Sequence, residues 1–216
     1  LTVARDLAPL GYEIHLFDEQ IAGGGMMRSQ IPSFRLPEEV LNEEVNFILD
    51  LGIHTQFMTY VKSLKEVLEG GYDAVFVGTG APKGRDLPKL PGRKEGDKNI
   101  HIGIEWLAGV AFEHTKSIAQ KVIVLGGGNT AMDAARTAKR LGADEAMIIY
   151  RRDREHMPAH EFEADEALSE GVKIHWLSTI KNMETSSITV EKMQVVNGKA
   201  VPTGEYETLE ADSLIL

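Results

Sequence analysis

The chain has 216 residues, 43% of them hydrophobic, a formal net charge of −10 and no cysteine. That length supports one large domain or two small ones, and the acidic balance argues against nucleic acid and anionic membrane as partners. Zero cysteine excludes disulfides, a CxxC redox pair and thiolate iron–sulfur ligation within these residues.

Residues 1–10 carry helical spacing through Leu1, Ala4, Leu7 and Ala8. After Gly11 comes an expected strand at 12–17 that ends at Asp18 and Glu19. Helix, glycine, strand and acidic end are the back half of a nucleotide-binding βαβ unit, with Asp18 placed to bind a ribose hydroxyl. Its phosphate loop would precede Leu1, so the chain reads as cut there. Residues 21–37 are too rich in Gly and Pro for regular structure. Gly23, Gly24 and Gly25 with Arg28 and Arg35 make a useful set for a phosphate-bearing ligand. A helix from Pro37 to Leu51 follows, with Leu41, Val45, Ile48 and Leu49 as its core stripe and Gly52 as its stop.

Residues 53–57 predict a strand, 64–68 a short helix, and 72–77 a buried strand running into Gly78, Thr79, Gly80 and Ala81. Residues 83–98 read as a surface connection and 102–112 as a helix. The most informative stretch is 121–152. The β-branched run 122–125 leads into Gly126, Gly127, Gly128, Asn129, Thr130 and Ala131, a GxGxxA match between a strand and a helix over about 130–141. One glycine serves a tight turn, another lets a backbone approach a pyrophosphate, and the small Ala131 lets the helix pack close to the strand. The helix N-terminus would face the phosphates. A second strand, 146–150, ends in Arg151 and Arg152, where paired guanidiniums suit the 2′-phosphate of NADP rather than the free ribose of NAD.

His156, His160 and Glu163 are separated by Pro158, so the two histidines do not share a helix face, and no metal site is expected. An acidic helix over 161–170 should pack through Phe162, Ala164, Ala167 and Leu168 while its carboxylates face solvent. The runs 172–177, 180–183, 188–196 and 206–209, broken by Asn197 and Gly198, predict antiparallel strands. Residues 214–216 begin another buried strand, and the chain reads as cut again.

Taken in order, Asp18, the Gly24–Arg28 loop, the block Ile31, Pro32, Ser33, Phe34, Arg35, Leu36, Pro37, the turn at Gly78 to Ala81, the block Gly126 to Asp133, and Tyr150, Arg151, Arg152 resemble the small-subunit family of NADPH-dependent glutamate synthase. The same module is similar to the flavin/NADPH portion of dihydropyrimidine dehydrogenase and to formate dehydrogenase-associated subunits. Ser29 and Gln30 stand where Tyr-Gly is commoner in glutamate synthase, which leans toward the latter branches. The resemblance implies an α/β fold of two Rossmann-like dinucleotide-binding domains, an FAD domain interrupted by an NADPH domain, with parallel central sheets in three layers and an antiparallel β addition. It implies a partial FAD domain at 1–112, an NADP(H) domain at 113–211 and a return to the FAD domain at 212–216. Asp18, Gly24, Gly25, Arg35, Thr79 and Gly80 would contact FAD; Gly127, Gly128, Asn129, Thr130, Arg151 and Arg152 would contact NADPH.

The function implied is a cytoplasmic flavoprotein module that oxidises NADPH and passes electrons through FAD to a larger catalytic subunit or iron–sulfur protein. The clusters would lie in regions outside this sequence or in the partner. No acid–base residue is assigned, because the cofactors carry the chemistry. Rival readings are a disulfide reductase, which zero cysteine opposes, a flavin monooxygenase, and a non-catalytic NADP-binding or assembly module.

Overall fold

In the computed structural model, which describes residues 1–94 and 96–216, the chain divides into two units, Leu1–Pro82 and Lys83–Leu216. The first unit opens with α1 (Thr2–Leu7) and a 3-10 turn, Ala8–Leu10, which Gly11 ends at a φ of +88°. Then come β1 (His15–Phe17), α2 (Met26–Ser29), α3 (Glu38–Leu49), β2 (His54–Gln56) and α4 (Leu64–Glu69). β1 and β2 pair in parallel, with His15 opposite His54. α3 starts after Pro37, carries Glu38 and Glu39 in its first turn, and buries Leu41 and Val45.

Two expectations fail in this unit. The Gly/Pro-rich block contains one helical turn, α2, because Gly25 at a φ of +53° reverses the chain ahead of four residues that tolerate helix. Residues 72–77 are irregular rather than a buried strand, and Phe76 and Val77 are exposed. An apolar run becomes a strand only where a neighbour accepts its hydrogen bonds, and among the described residues the sheet of this unit holds β1 and β2.

The second unit contains β3 (Ile100–His101), α5 (Gly103–Ala111), β4 (Lys121–Leu125), α6 (Asn129–Arg140), β5 (Glu145–Ile149), α7 (Glu161–Ser169), β6 (Lys173–His175), β7 (Ser178–Met183), β8 (Ser187–Val196), β9 (Lys199–Glu210) and β10 (Ser213–Ile215). Five strands form a parallel sheet in the order β3-β10-β4-β5-β6, and three form an antiparallel sheet, β7-β8-β9. One face of the parallel sheet buries Val122, Val124 and Ile148 against Trp106, Met132, Ala135, Ala138 and Ala164 from the helices. The other buries Ile123, Ile149 and Leu214 against Ile180, Met183, Ile188 and Val190 of the antiparallel sheet. The result is three layers: helices, parallel sheet, antiparallel sheet.

The β8–β9 hairpin turns at Asn197 and Gly198, both at positive φ (51° and 73°), as a two-residue hairpin turn requires. The pattern of the run 172–177 predicts an antiparallel strand. Instead its β6 pairs in parallel with β5, because α7 supplies a crossover. β3 and α5 belong to this second unit, β3 lying at one edge of its parallel sheet. The buried strand expected at the end of the sequence is β10, which inserts between β3 and β4.

α7 also corrects its predicted face. Phe162 and Leu168 are exposed, whereas Glu163 is buried beside Ala164 and Ala167. Small alanines bring α7 close to α6, and the rim of that seam is ionic. Arg136 donates to Glu166 and Glu170 at 2.7 Å each, and Arg140 donates to Glu170 at 2.8 Å. These bonds, Arg140's first and then Arg136's, push the Glu170 carboxyl down to about 2. A carboxylate with a lowered folded pKa adds stability above its unfolded pKa and loses it as pH falls through the folded value. Glu170→Gln is therefore expected to lower stability by on the order of 1–2 kcal/mol at pH 7. Urea denaturation of both proteins should show that difference narrowing as pH falls from about 5 to about 2.

Candidate dinucleotide-binding site

β4 lies where the parallel sheet changes direction. From β4 the chain runs outward through α6, β5, α7 and β6, while β10 and β3 lie on its other side. In open parallel sheets the crevice at such a reversal, beyond the C-terminal strand ends, is where ligands sit. Gly126 occupies it at a φ of +151°, and its N–H donates to Ile149 O at 3.1 Å. A Cβ at Gly126 would lie 3.3 Å from the Ala131 methyl, so the turn and the close start of α6 depend on each other.

The next two glycines differ in kind. A Cβ on Gly127 would stand 2.4 Å from the Tyr150 ring, so this glycine is required by the protein itself. Its carbonyl accepts Ala159 N–H at 2.9 Å. At Gly128 a Cβ would meet nothing within 4 Å, and φ is −97°, an ordinary value. That backbone is open to a ligand. Gly128 is also the N-cap of α6, and no side chain caps the helix. Ala131 N–H donates to Gly128 O at 2.9 Å, and the Asn129 and Thr130 N–H groups before it retain donor capacity at the positive end of a twelve-residue helix.

The basic cluster after β5 has three fates. Arg151 is exposed and has no side-chain partner among the described residues. Arg152 donates from Nε to the Tyr150 hydroxyl at 3.0 Å, sits 5.8 Å from that ring's centroid, and places Nη1 3.5 Å from Gly198 O. Arg154 pairs with Asp165 at 2.5 Å. Tyr150 is itself anchored: its hydroxyl donates to His156 O at 2.6 Å, its N–H donates to His175 O at 3.0 Å, and its ring meets Trp176 edge-on. His156 Nδ1 lies 2.6 Å from Asp153 Oδ1, an interaction that lowers the Asp153 pKa. The sequence marks Tyr150 as a strand end within the Tyr150, Arg151, Arg152 motif; the structure makes it the post that sets both Gly127 and Arg152.

The first unit treats its expected site residues unevenly. Asp18 directly follows β1; its Oδ1 accepts Gln20 N–H at 2.9 Å, and its carbonyl accepts Thr59 N–H at 2.9 Å. Gly24 and Gly25 hold φ values of +127° and +53°. Arg28 spends its guanidinium inside the protein. Nε donates to Gly23 O at 2.7 Å, Nη2 to Asn42 Oδ1 at 2.6 Å, and Nη1 pairs with Glu38 at 3.2 Å. It staples the glycine loop to α3. Arg35 closes a turn by donating its N–H to Pro32 O at 2.9 Å. Thr79 and Gly80 lie in the exposed irregular run, Gly80 at a φ of +70°.

The whole chain, residues 1–216, matches the family described as pyridine nucleotide-disulphide oxidoreductase. It is 37% identical over 202 residues to the NADP(+)-dependent formate dehydrogenase subunit beta of Moorella thermoacetica, which covers 92% of this chain and 28% of that protein. It is 33% identical over 220 residues to the NADPH glutamate synthase small chain of Azospirillum brasilense, covering 94% of this chain and 45% of that one. The chain thus spans less than half the length of either relative. In fold it is similar to Mycobacterium tuberculosis FprA in complex with NADPH, with a TM-score of 0.77 at 16% identity over 99% of this chain and 66% of that one. Among the described residues, no helix is long and apolar enough to cross a membrane.

Proposed function

Because the chain belongs to the pyridine nucleotide-disulphide oxidoreductase family, we propose that it is a module that oxidises NADPH and passes the electrons through FAD to a partner protein carrying iron–sulfur centres. The observation that carries this reading is the open Gly128 backbone at the uncapped N-terminus of α6, with Arg151 at the end of the adjacent strand. In this reading the N–H groups of Gly128, Asn129 and Thr130 hold the diphosphate. Arg151, with the Nη2 of Arg152, holds the 2′-phosphate and so selects NADPH over NADH.

Leu1–Pro82 would serve FAD, with the Asp18 carboxylate as acceptor for a ribose hydroxyl and Gly24 and Gly25 giving close backbone approach. Arg28 fits this role poorly, since its donors are already bonded, and it is better read as the brace that shapes the loop. When bound, NADPH supplies a hydride and FAD splits it into single electrons; the protein contributes binding, orientation and electrostatics. The relatives' printed names, a dehydrogenase subunit and a synthase small chain, support a partner subunit. Zero cysteine means that no dithiol of residues 1–216 takes part. The same reading places the protein in the cytoplasm.

The test is flavin content and its reduction. The full-length protein that carries this module should be yellow, bleach anaerobically on adding NADPH, and recolour when an iron–sulfur acceptor is supplied. A colourless protein that binds NADPH without oxidising it would replace this function by a binding module.

A further inference from the structure

Side chains two positions apart leave the same face of an extended chain, so Glu13 and His15 project together from the segment entering β1. The parallel register sets His54 of β2 directly opposite His15, and the bond from His54 N–H to Ile14 O, 2.9 Å, pins that register. Local alternation and strand pairing thereby gather three ligand-type side chains that are distant in sequence. His15 Nε2 lies 3.1 Å from Glu13 Oε1, and His54 Nε2 lies 3.7 Å from the same oxygen. All three donor atoms fall within 4.8 Å of one another.

Ligands held tetrahedrally on zinc at about 2.0–2.1 Å are about 3.3 Å apart. The observed separations bracket that value, so small side-chain rotations would close the set around an ion. His15 Nδ1 is buried, which leaves Nε2 as the nitrogen the ring presents. The ring is held from two sides, by His54 at a centroid distance of 4.8 Å and by Tyr72 edge-on at 5.3 Å. Two imidazoles and one carboxylate suit zinc and its borderline neighbours; magnesium and calcium prefer six or more oxygens.

We infer that Glu13, His15 and His54 form a binding site for a zinc-class divalent cation, with water completing its coordination. The ion bridges β1 and β2 and so cross-braces the sheet of the first unit. Binding to the folded state alone stabilises it by mass action. The site is independent of the dinucleotide reading and lies on different residues.

The test is calorimetric titration of the chelator-treated chain with zinc and, separately, magnesium. One zinc per chain is expected, with no comparable magnesium binding and a higher melting temperature in zinc. Because loss of a supporting group around a metal already weakens affinity 10–100-fold, His54→Gln and Glu13→Gln should each weaken zinc binding at least about 10-fold. Both side chains are largely exposed (59% and 74%), so neither variant threatens the fold, which circular dichroism verifies. His114→Gln, an exposed histidine of the other unit, should bind zinc as the parent does. Absence of saturable zinc uptake, unchanged binding in His54→Gln, or loss in His114→Gln would each reduce the cluster to a surface ion pair and overturn the inference.

Discussion

Replacing Arg151 and Arg152 together by alanine should weaken NADPH binding roughly 100-fold or more while leaving NADH binding within about threefold. Each charge-assisted hydrogen bond to a phosphate contributes about 1.5–3 kcal/mol, and 1.4 kcal/mol is a factor of ten. The two single variants should behave differently. Arg151 has no protein partner among the described residues, so Arg151→Ala removes a ligand contact and little else. Arg152 rides on Tyr150 through a 3.0 Å bond and ring contact, so Arg152→Ala should lower both NADPH affinity and thermal stability. Calorimetry with both dinucleotides on all three variants checks this. Equal affinity for NADPH and NADH in the parent, or a double variant that still prefers NADPH, would remove the basis for assigning the 2′-phosphate to these residues.

The second large effect separates two neighbouring glycines. Gly127→Ala would place a methyl 2.4 Å from a ring that cannot swing aside, because the Tyr150 hydroxyl is bonded to His156 O and to Arg152. Loop or ring must shift, at a cost of about 1–3 kcal/mol. NADPH affinity should fall with it, since Arg152 follows the ring. Gly128→Ala meets no atom within 4 Å and needs no unusual backbone angle. It should change stability by less than about 0.5 kcal/mol while abolishing detectable NADPH binding, because the methyl fills the space a diphosphate would take. Urea melts and NADPH titrations of the pair give the readout. If Gly128→Ala binds NADPH normally, the diphosphate does not lie on this backbone.

The stretch from Lys121 to Arg152 was the most legible part of the sequence because its signals are local. A β-branched run, glycines with steric duties and a small residue at Ala131 each constrain their immediate neighbours, and β4, α6 and β5 begin and end within a residue or so of expectation. Misreadings cluster where partners are distant. Residues 72–77 have the composition of a strand, but strands need neighbours. The direction of β6 depends on the crossover before it, and its residues are those of an antiparallel strand as much as of a parallel one. Phe162 outranks Glu163 as a core residue by hydropathy, yet the alanine seam of α7 buries the glutamate.

Within the candidate site, glycines and arginines could be found by motif, but their tasks could not. That Gly127 answers to Tyr150, and that Arg28 is consumed by Gly23, Glu38 and Asn42, follows only from packing. The Glu13, His15 and His54 group was invisible for the same reason. The only metal candidate the sequence suggested, His156 with His160, is broken by Pro158, and no local spacing joins His15 to His54; the register of β1 and β2 does.

The position of β10 has a bearing on synthesis. Ser213–Ile215 supplies the strand between Ile100–His101 and Lys121–Leu125, so until the ribosome has released those three residues β3 lacks its neighbour and β4 shows a bare edge. The glycine turn beyond Leu125 can take shape early from nearby sequence, but its supporting sheet closes last. A nascent chain stalled before Ala211 would carry that open flank, a natural target for chaperones.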